Sequence, residues 1–284
     1  ASGILLPPVA SYKDKPIDYI DPAPKPFDVQ IPLVEFFERV KRHKADRWQH
    51  DFCERLQNAC INRSEMPTRA IVHAEAQLGK SVLLAQCLPA WIFGHDSLHR
   101  VALSTYNVTR SQSHSKAVIS IMNLPIYKQI FTNEDCHVKL GSSKEKWMTN
   151  ARLSLTTDAQ DSFNPVGLQS GLTGSGFDTL IIDDPYASER DAFSETIRKA
   201  LQSFWDADVE SRIGSFSNVF GMFHRYHVQD LAGYLLDNAD FDYWRYASVC
   251  DGDYVHEETG KRFQDPMNRA IGEYISERRA PSYY

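Results

Sequence analysis

The sequence contains no apolar run approaching the ~18 residues that a membrane span requires, and its first residues show no signal-peptide core. Both absences predict a soluble intracellular protein with no membrane partner. An excess of positive charge is missing too. Lys and Arg number 31 against 37 Asp and Glu, for a formal net charge of −6. The surface as a whole is therefore not a nucleic-acid footprint, and such a contact would need a local basic patch. "KRHK" (41–44) and "SSKEKW" (142–147) are the candidates for phosphate-backbone contacts, with a solvated charged face as the competing reading. The five cysteines (Cys53, Cys60, Cys87, Cys136, Cys250) are odd in number and show no C-x-x-C spacing. That argues against a disulfide framework or zinc site and predicts reduced, mostly buried thiols. No internal repeat is visible.

What is present is an ordinary globular composition, 42% hydrophobic and 24% charged over 284 residues, enough for one large or two modest domains. Pro7, Pro8, Pro16, Pro22, Pro24, Pro26 and Pro32 forbid a helix in residues 1–32 and favour an arm that is extended against another surface or partly disordered. From Leu33 apolar residues recur at helical spacing, through Phe36, Phe37, Val40, Trp48, Phe52, Leu56 and Ala59, with a break near Lys44 to Asp46. Beyond Pro67, "RAIVHA" (69–74), "RVALSTY" (100–106), "ARLSLTT" (151–157), "DTLIIDD" (178–184), "NVFGMFH" (218–224) and "YWRYASV" (243–249) read as strands. Residues 80–93, 107–123 and 189–212 read as helices between them, with a further helix near 268–279. Apolar strands alternating with helices predict an α/β fold whose parallel sheet is covered on both faces. The expected organisation is an arm over 1–32, a domain over 33–250 and an extension over 251–284.

One stretch carries chemistry. "HAEAQLGKSVLLAQ" (73–86) ends in the Gly-Lys-Ser of a phosphate-binding loop but has Ala74 where the pattern G-x-x-x-x-G-K-[ST] begins. An L-residue forced into the left-handed region there would cost roughly 1–2 kcal/mol. If the loop works, Glu75, Ala76, Gln77, Leu78 and Gly79 wrap the phosphates of ATP. Lys80 then reaches the β- and γ-phosphates, and Ser81 places its hydroxyl on Mg²⁺. The test lies downstream in "LIIDDP", an apolar strand ending in two carboxylates. Asp183 would hold Mg²⁺, and Asp184 would orient or deprotonate the attacking water. Alone, either element has a bland reading, a helix start or an acidic strand end. Together they predict a working nucleotide site.

Other polar clusters read more plainly. His224, His227 and Asp230 resemble metal ligands but fit a turn better, and His95 and His99 in "GHDSLHR" read as a solvated loop after a helix-ending glycine. Ser104, Thr105, Tyr106 and Asn107 leave a strand end, where ligand contacts and helix caps both occur.

Taken in order, "LGKSVLLAQCLPAWIFG", "VALSTYN", "GLTGSGFDTLIIDDPYAS", "SETIRKALQSFW" and "FHRYHVQDLAGYLL" resemble the ATPase domain of the large terminase subunit of tailed bacteriophages, from about Trp48 to Leu236. The resemblance implies a P-loop ATPase fold of the additional-strand type and Mg²⁺-ATP hydrolysis. It also implies translocation of double-stranded DNA by a homo-oligomeric, pentameric ring on the capsid portal. A small terminase subunit as partner and the cytoplasm of the infected bacterial host as location follow from it. So does an adenine contact at Trp48 and Gln49, beside His50, and a sensor and coupling motif at His224 and Arg225. Full-length members add a ribonuclease-H-like nuclease; a chain reaching Tyr284 is too short for it, so no DNA cleavage is expected.

The departures are specific. Asp184 stands where the family often has Glu, and His224 where it has Thr or Ser. Gln77 and Ser175 stand where related terminases often carry arginine. Arg110, Arg152 and Arg225 are the candidates for the charge this leaves missing, with a neighbouring subunit as the other source. A helicase-like translocase and a nucleotide-binding module without turnover are the alternatives.

Overall fold

The computed structural model describes residues 27–75, 78–138, 145–155, 160–168, 172, 176–238 and 240–276. The arm over 1–26, Ala76 and Gln77 of the loop, 142–144 of the second basic stretch, Ser175 and the end of the chain lie outside these.

Among the described residues six strands form one parallel sheet: β1 Arg69–Ala74, β2 Val101–Thr105, β3 Phe163–Gly167, β4 Phe177–Asp183, β5 Ile213–Met222 and β6 Asp242–Tyr246. Their order is β3-β2-β4-β5-β1-β6, so β5 separates β1 from β4. The strands are apolar on both sides because both sides are covered. Val72, Ala74, Ile181, Phe220 and Met222 pack in one core with helices Leu33–Lys41, Arg47–Ile61, 80–95 and Val108–Met122. Ile71, Leu180, Ile182, Val219 and Phe223 pack in another with Glu195–Phe204 and Leu231–Asn238. Alternation along β4 puts Asp183 on the same face as Ile181, toward the helix that follows β1.

The helix over 80–95 opens as Lys80–Val82, widens into a π turn at Leu83–Cys87 and continues as Leu88–His95. Pro89 explains the widening, since it has no N–H for the preceding turn and its ring crowds the carbonyl there. Ahead of the first helix, Trp91 Nε1 donates to the Ile31 carbonyl at 2.8 Å, and Phe27 packs on the Trp91 ring. The end of the expected arm is thus laid on the core. The hairpin of β7 (Tyr254–Val255) and β8 (Arg262–Phe263) packs against β6 through Tyr243. Among the described residues no helix is long and apolar enough to cross a membrane.

Several expectations need correction. Through Leu155 "ARLSLTT" is not a strand: Asn150–Leu153 is a short helix that Thr149 caps, and Leu153 and Leu155 point outward, while Thr156 and Thr157 lie outside the described residues. The missing strand is β3, whose Pro165 lies at the sheet edge, where a strand tolerates the lost N–H. The 189–212 helix is broken at Ser194, between Glu189–Phe193 and Glu195–Phe204, and passes through a π turn, Trp205–Val209, into a 3-10 turn, Glu210–Arg212. Through Ser276 the expected 268–279 helix is a series of turns, with Asn268 at φ 50° and Gly272 at φ 89°. Gly94 does not end its helix. A Cβ there would meet the Phe131 ring at 2.4 Å, so packing resists any side chain at this position. His99 is buried, not solvated, and bonds Thr179 Oγ1 at 3.0 Å.

Candidate functional site

The C-terminal ends of β1, β4 and β5 bring the sequence-predicted residues together. Ala74 stays in register opposite Tyr246 as the last residue of β1, and it is not among the residues with positive φ. Alanine is therefore unstrained where the pattern has glycine. Gly79 is the loop residue that does need to be glycine, with φ +79° and only Gln49 Nε2 near a would-be Cβ. Glu75 is exposed and Leu78 is buried. Lys80 follows at the helix start, buried, with Nζ donating to the Ala74 carbonyl and lying 3.3 Å from His224 Nε2. Burial pulls the Lys80 ammonium below its ordinary pKa, against the carboxylates of Asp184, Asp183 and Glu75.

Ser81 Oγ donates to Asp183 Oδ1 at 3.0 Å, a contact between residues 102 apart in sequence. Asp183 is fully buried, and its Oδ2 accepts no hydrogen bond. A buried carboxylate oxygen left unpaired is costly unless a cation completes it. That donor set fits Mg²⁺, which binds one or two carboxylates and a hydroxyl and leaves its other positions to phosphate and water. Asp184 sits just past the strand at φ 47°, a left-handed conformation that aspartate tolerates better than most residues. Its N–H donates to Met222 at 3.0 Å and its carbonyl accepts from Tyr106 at 3.3 Å, tying the ends of β2, β4 and β5 together. Burial and the neighbouring Asp183 raise the Asp184 pKa, with His224, Lys80 and Arg110 opposing. Burial and Lys80 lower that of His224. A cleft of about 320 Å³ opens here, lined by Tyr106, Arg110, Asp184, Tyr186, His224 and Tyr226.

Not every expected residue faces it. The aromatic platform at Trp48 is corrected: the ring is 1% exposed, stacked on Phe52 and edge-on to Tyr246, and offers no face to a base. Removing such a buried Trp costs about 3–5 kcal/mol, which makes it a core residue. Gln49 does reach the loop, but as a brace. Its Nε2 donates to the Leu78 carbonyl at 3.4 Å and its Oε1 accepts from Asp46 N–H at 2.9 Å, so its amide is engaged at both ends.

Arg225 is held by Asp230 at 3.1 Å, and Asp230 also caps the Leu231–Asn238 helix. His227 Nδ1 accepts from Gln229 N–H. Among the described residues no three His, Cys, Asp or Glu are placed to hold a metal ion by themselves. Arg152 is buried and donates to the Leu98 carbonyl, so of the three candidate arginines Arg110 is the one that lines the cleft. Thr105 and Asn107 serve the start of the Val108–Met122 helix, where Asn107 Oδ1 accepts from Arg110 N–H at 2.8 Å. The four residues KRHK are exposed, and Lys44 pairs with Glu38.

Sequence reasoning missed His114. It is buried on the inner stripe of Val108–Met122, with Nε2 3.2 Å from Asp183 Oδ2 and Nδ1 3.2 Å from Gln86 Nε2. The signal was available, because Ser111, His114 and Ser115 put polar groups on the helix face that continues as Val118 and Met122. All five cysteines are free and buried, as the sequence predicts. No protein-family model matches the chain, and no curated protein matches it in sequence.

Proposed function

We propose that this chain is the ATPase motor domain of a phage large terminase, a P-loop enzyme of the additional-strand type that hydrolyses Mg²⁺-ATP to drive double-stranded DNA into a procapsid. The observation that carries the hydrolase reading is the 3.0 Å hydrogen bond from Ser81 to Asp183, which joins the Gly-Lys-Ser loop to the acidic strand end. The position of β5 between β1 and β4 supports the additional-strand assignment. The terminase part rests on the ordered motifs of the sequence, as do the ring on the portal, the small subunit and the host cytoplasm.

Each residue has a role that its surroundings suit. Backbone N–H groups of the loop and the start of the 80–95 helix receive the phosphates, and Lys80 neutralises them from a buried position. Ser81 and Asp183 would hold Mg²⁺, which supplies charge neutralisation on the β- and γ-phosphate oxygens. Asp184, its pKa raised, takes up or orients the proton of the attacking water. Arg110 contributes positive charge at the cleft in cis. His224, beside Lys80, stands in for the usual hydroxyl sensor.

The test is ATP turnover against protein concentration, with Lys80→Ala alongside. Turnover per subunit rises with concentration if a neighbour completes the site, and Lys80→Ala lowers it by about 10²–10³-fold, as for loss of a transition-state donor. ATP bound without turnover at any concentration would overturn the hydrolase reading in favour of a binding module. Strand displacement would point instead to a helicase-like translocase.

A further inference from the structure

The inner stripe of Val108–Met122 carries three polar side chains, and two have plain structural uses. Ser111 Oγ donates to the Val166 carbonyl at 2.6 Å, and Ser115 Oγ accepts from Trp147 Nε1 at 2.9 Å. His114 differs. Its Nδ1 faces the amide nitrogen of Gln86 at 3.2 Å, so Nδ1 accepts and the ring proton sits on Nε2. Nε2 then lies 3.2 Å from Asp183 Oδ2, close enough for contact but not aligned for a hydrogen bond. Both atoms are buried, and neither has another hydrogen-bond partner. Two buried polar atoms left unmade against each other cost free energy that packing does not return.

We propose that His114, held in its tautomer by Gln86, is a positioning residue for the Asp183 carboxylate. The inference rests on the nucleotide-site reading above. With Nε2 3.2 Å from Oδ2, the ring limits rotation of the carboxylate by its position and the dipole of its N–H, keeping Oδ1 on Ser81 and the carboxylate in one orientation. Outer partners of metal-holding groups act in this way, by orientation and not by contact with the metal. Gln86 belongs to the same device. It sits in the π turn of the 80–95 helix, so the helix that begins with Lys80 and Ser81 also fixes the histidine behind Asp183. Arg110, one turn before His114, lines the cleft, so one helix serves both the mouth and the back of the site.

The experiment measures binding of a fluorescent, non-hydrolysable ATP analogue as Mg²⁺ is titrated, for wild type, His114→Leu, His114→Gln and Gln86→Leu. Thermal melts run in parallel. His114→Leu is expected to raise the Mg²⁺ needed for half-saturation by about 10-fold, the lower end of the range for such partners. Binding in EDTA should stay at its wild-type level. His114→Gln, whose amide nitrogen occupies roughly the place of Nε2, restores the wild-type Mg²⁺ requirement; a packing role would not. A folded His114→Leu protein with an unchanged Mg²⁺ requirement overturns the inference, as does a His114→Gln protein no better than His114→Leu. If His114→Leu does not fold, Gln86→Leu decides: an upward shift in the same direction supports the role, and no shift overturns it. A wild-type protein that binds no analogue at any Mg²⁺ concentration overturns the nucleotide-site reading and this inference with it.

Discussion

Strand β4 carries a carboxylate near each end, and the fold treats the two in opposite ways. At the N-terminal end, Asp178 accepts from the Arg100 backbone N–H at 2.9 Å, from its Nε at 3.0 Å and from its Nη2 at 3.2 Å. Arg63 adds a contact at 2.9 Å. Burial alone would raise the Asp178 pKa; His99, Arg100 and Arg63 outweigh it and hold the carboxyl well below the usual range. At the C-terminal end, Asp183 has one hydroxyl donor and an oxygen that accepts no hydrogen bond, with His114 Nε2 3.2 Å from it, while the pKa of Asp184 is pushed up and those of Lys80 and His224 are pushed down. Burying charge is common to both ends. Leaving it without such partners is particular to one, the end at which the Gly-Lys-Ser loop meets β4.

The largest effect expected from breaking this contrast is at Asp184. Asp184→Asn should lower ATP turnover by about 10²–10⁴-fold, the range for a positioned acid or base. Its melting temperature should hold or rise at neutral pH. The folded-state pKa of Asp184 is raised, so its charged form is disfavoured on folding, and the amide removes that penalty. Thermal melts and turnover on one preparation check both halves. A fall of several degrees would make Asp184 a stabilising group and erase the contrast.

Asp178→Asn should do the reverse, costing about 3 kcal/mol in urea unfolding at neutral pH, the lower part of the range for removing one partner of a buried pair. Because the folded pKa is depressed, the stabilisation is complete above the unfolded value of about 4 and is lost as pH falls below it. The stability gap between wild type and variant should therefore shrink on acidification. A gap that stays constant to low pH would mean that the charge on Asp178 is not what matters.

How much of this was legible follows from where the information sits. "RAIVHA" and "DTLIIDD" announce themselves because parallel strands covered on both faces are apolar nearly throughout. Gly-Lys-Ser and Asp-Asp are local in sequence, so their chemistry can be read without the fold. β3 could not be, since Asn164 and Pro165 break the pattern and only an edge position makes them acceptable. "ARLSLTT" alternates like a strand, but its leucines are exposed and its local caps decide for helix. Trp48 and Gln49 are adjacent on one helix, and periodicity cannot say which of them turns toward the loop. His114 lies behind Asp183 through tertiary packing alone, and the same holds for the ring that crowds Gly94.

Gly94 gives the smallest expected effect and the sharpest control. The 80–95 helix runs from Lys80 in the site to His95, beside the Asp96, His99 and Asp178 cluster at the other end of the sheet. Gly94→Ala gains about 1 kcal/mol in helix propensity. Against this, the added methyl drives into Phe131, which is 1% exposed and packed by the rings of Phe36, Tyr127 and His95, so it has little room to yield. Overpacking of this kind costs about 1–3 kcal/mol, which leaves a net loss near 1 kcal/mol in a thermal or urea melt. Turnover per folded molecule should stay at the wild-type level, because the strain enters at the stable end and the π turn at Leu83–Cys87 lies between it and Lys80. If turnover instead falls as far as in Lys80→Ala, strain passes the full length of the helix. The two ends of the sheet would then be one mechanical unit, not a stabilised end and a reactive one.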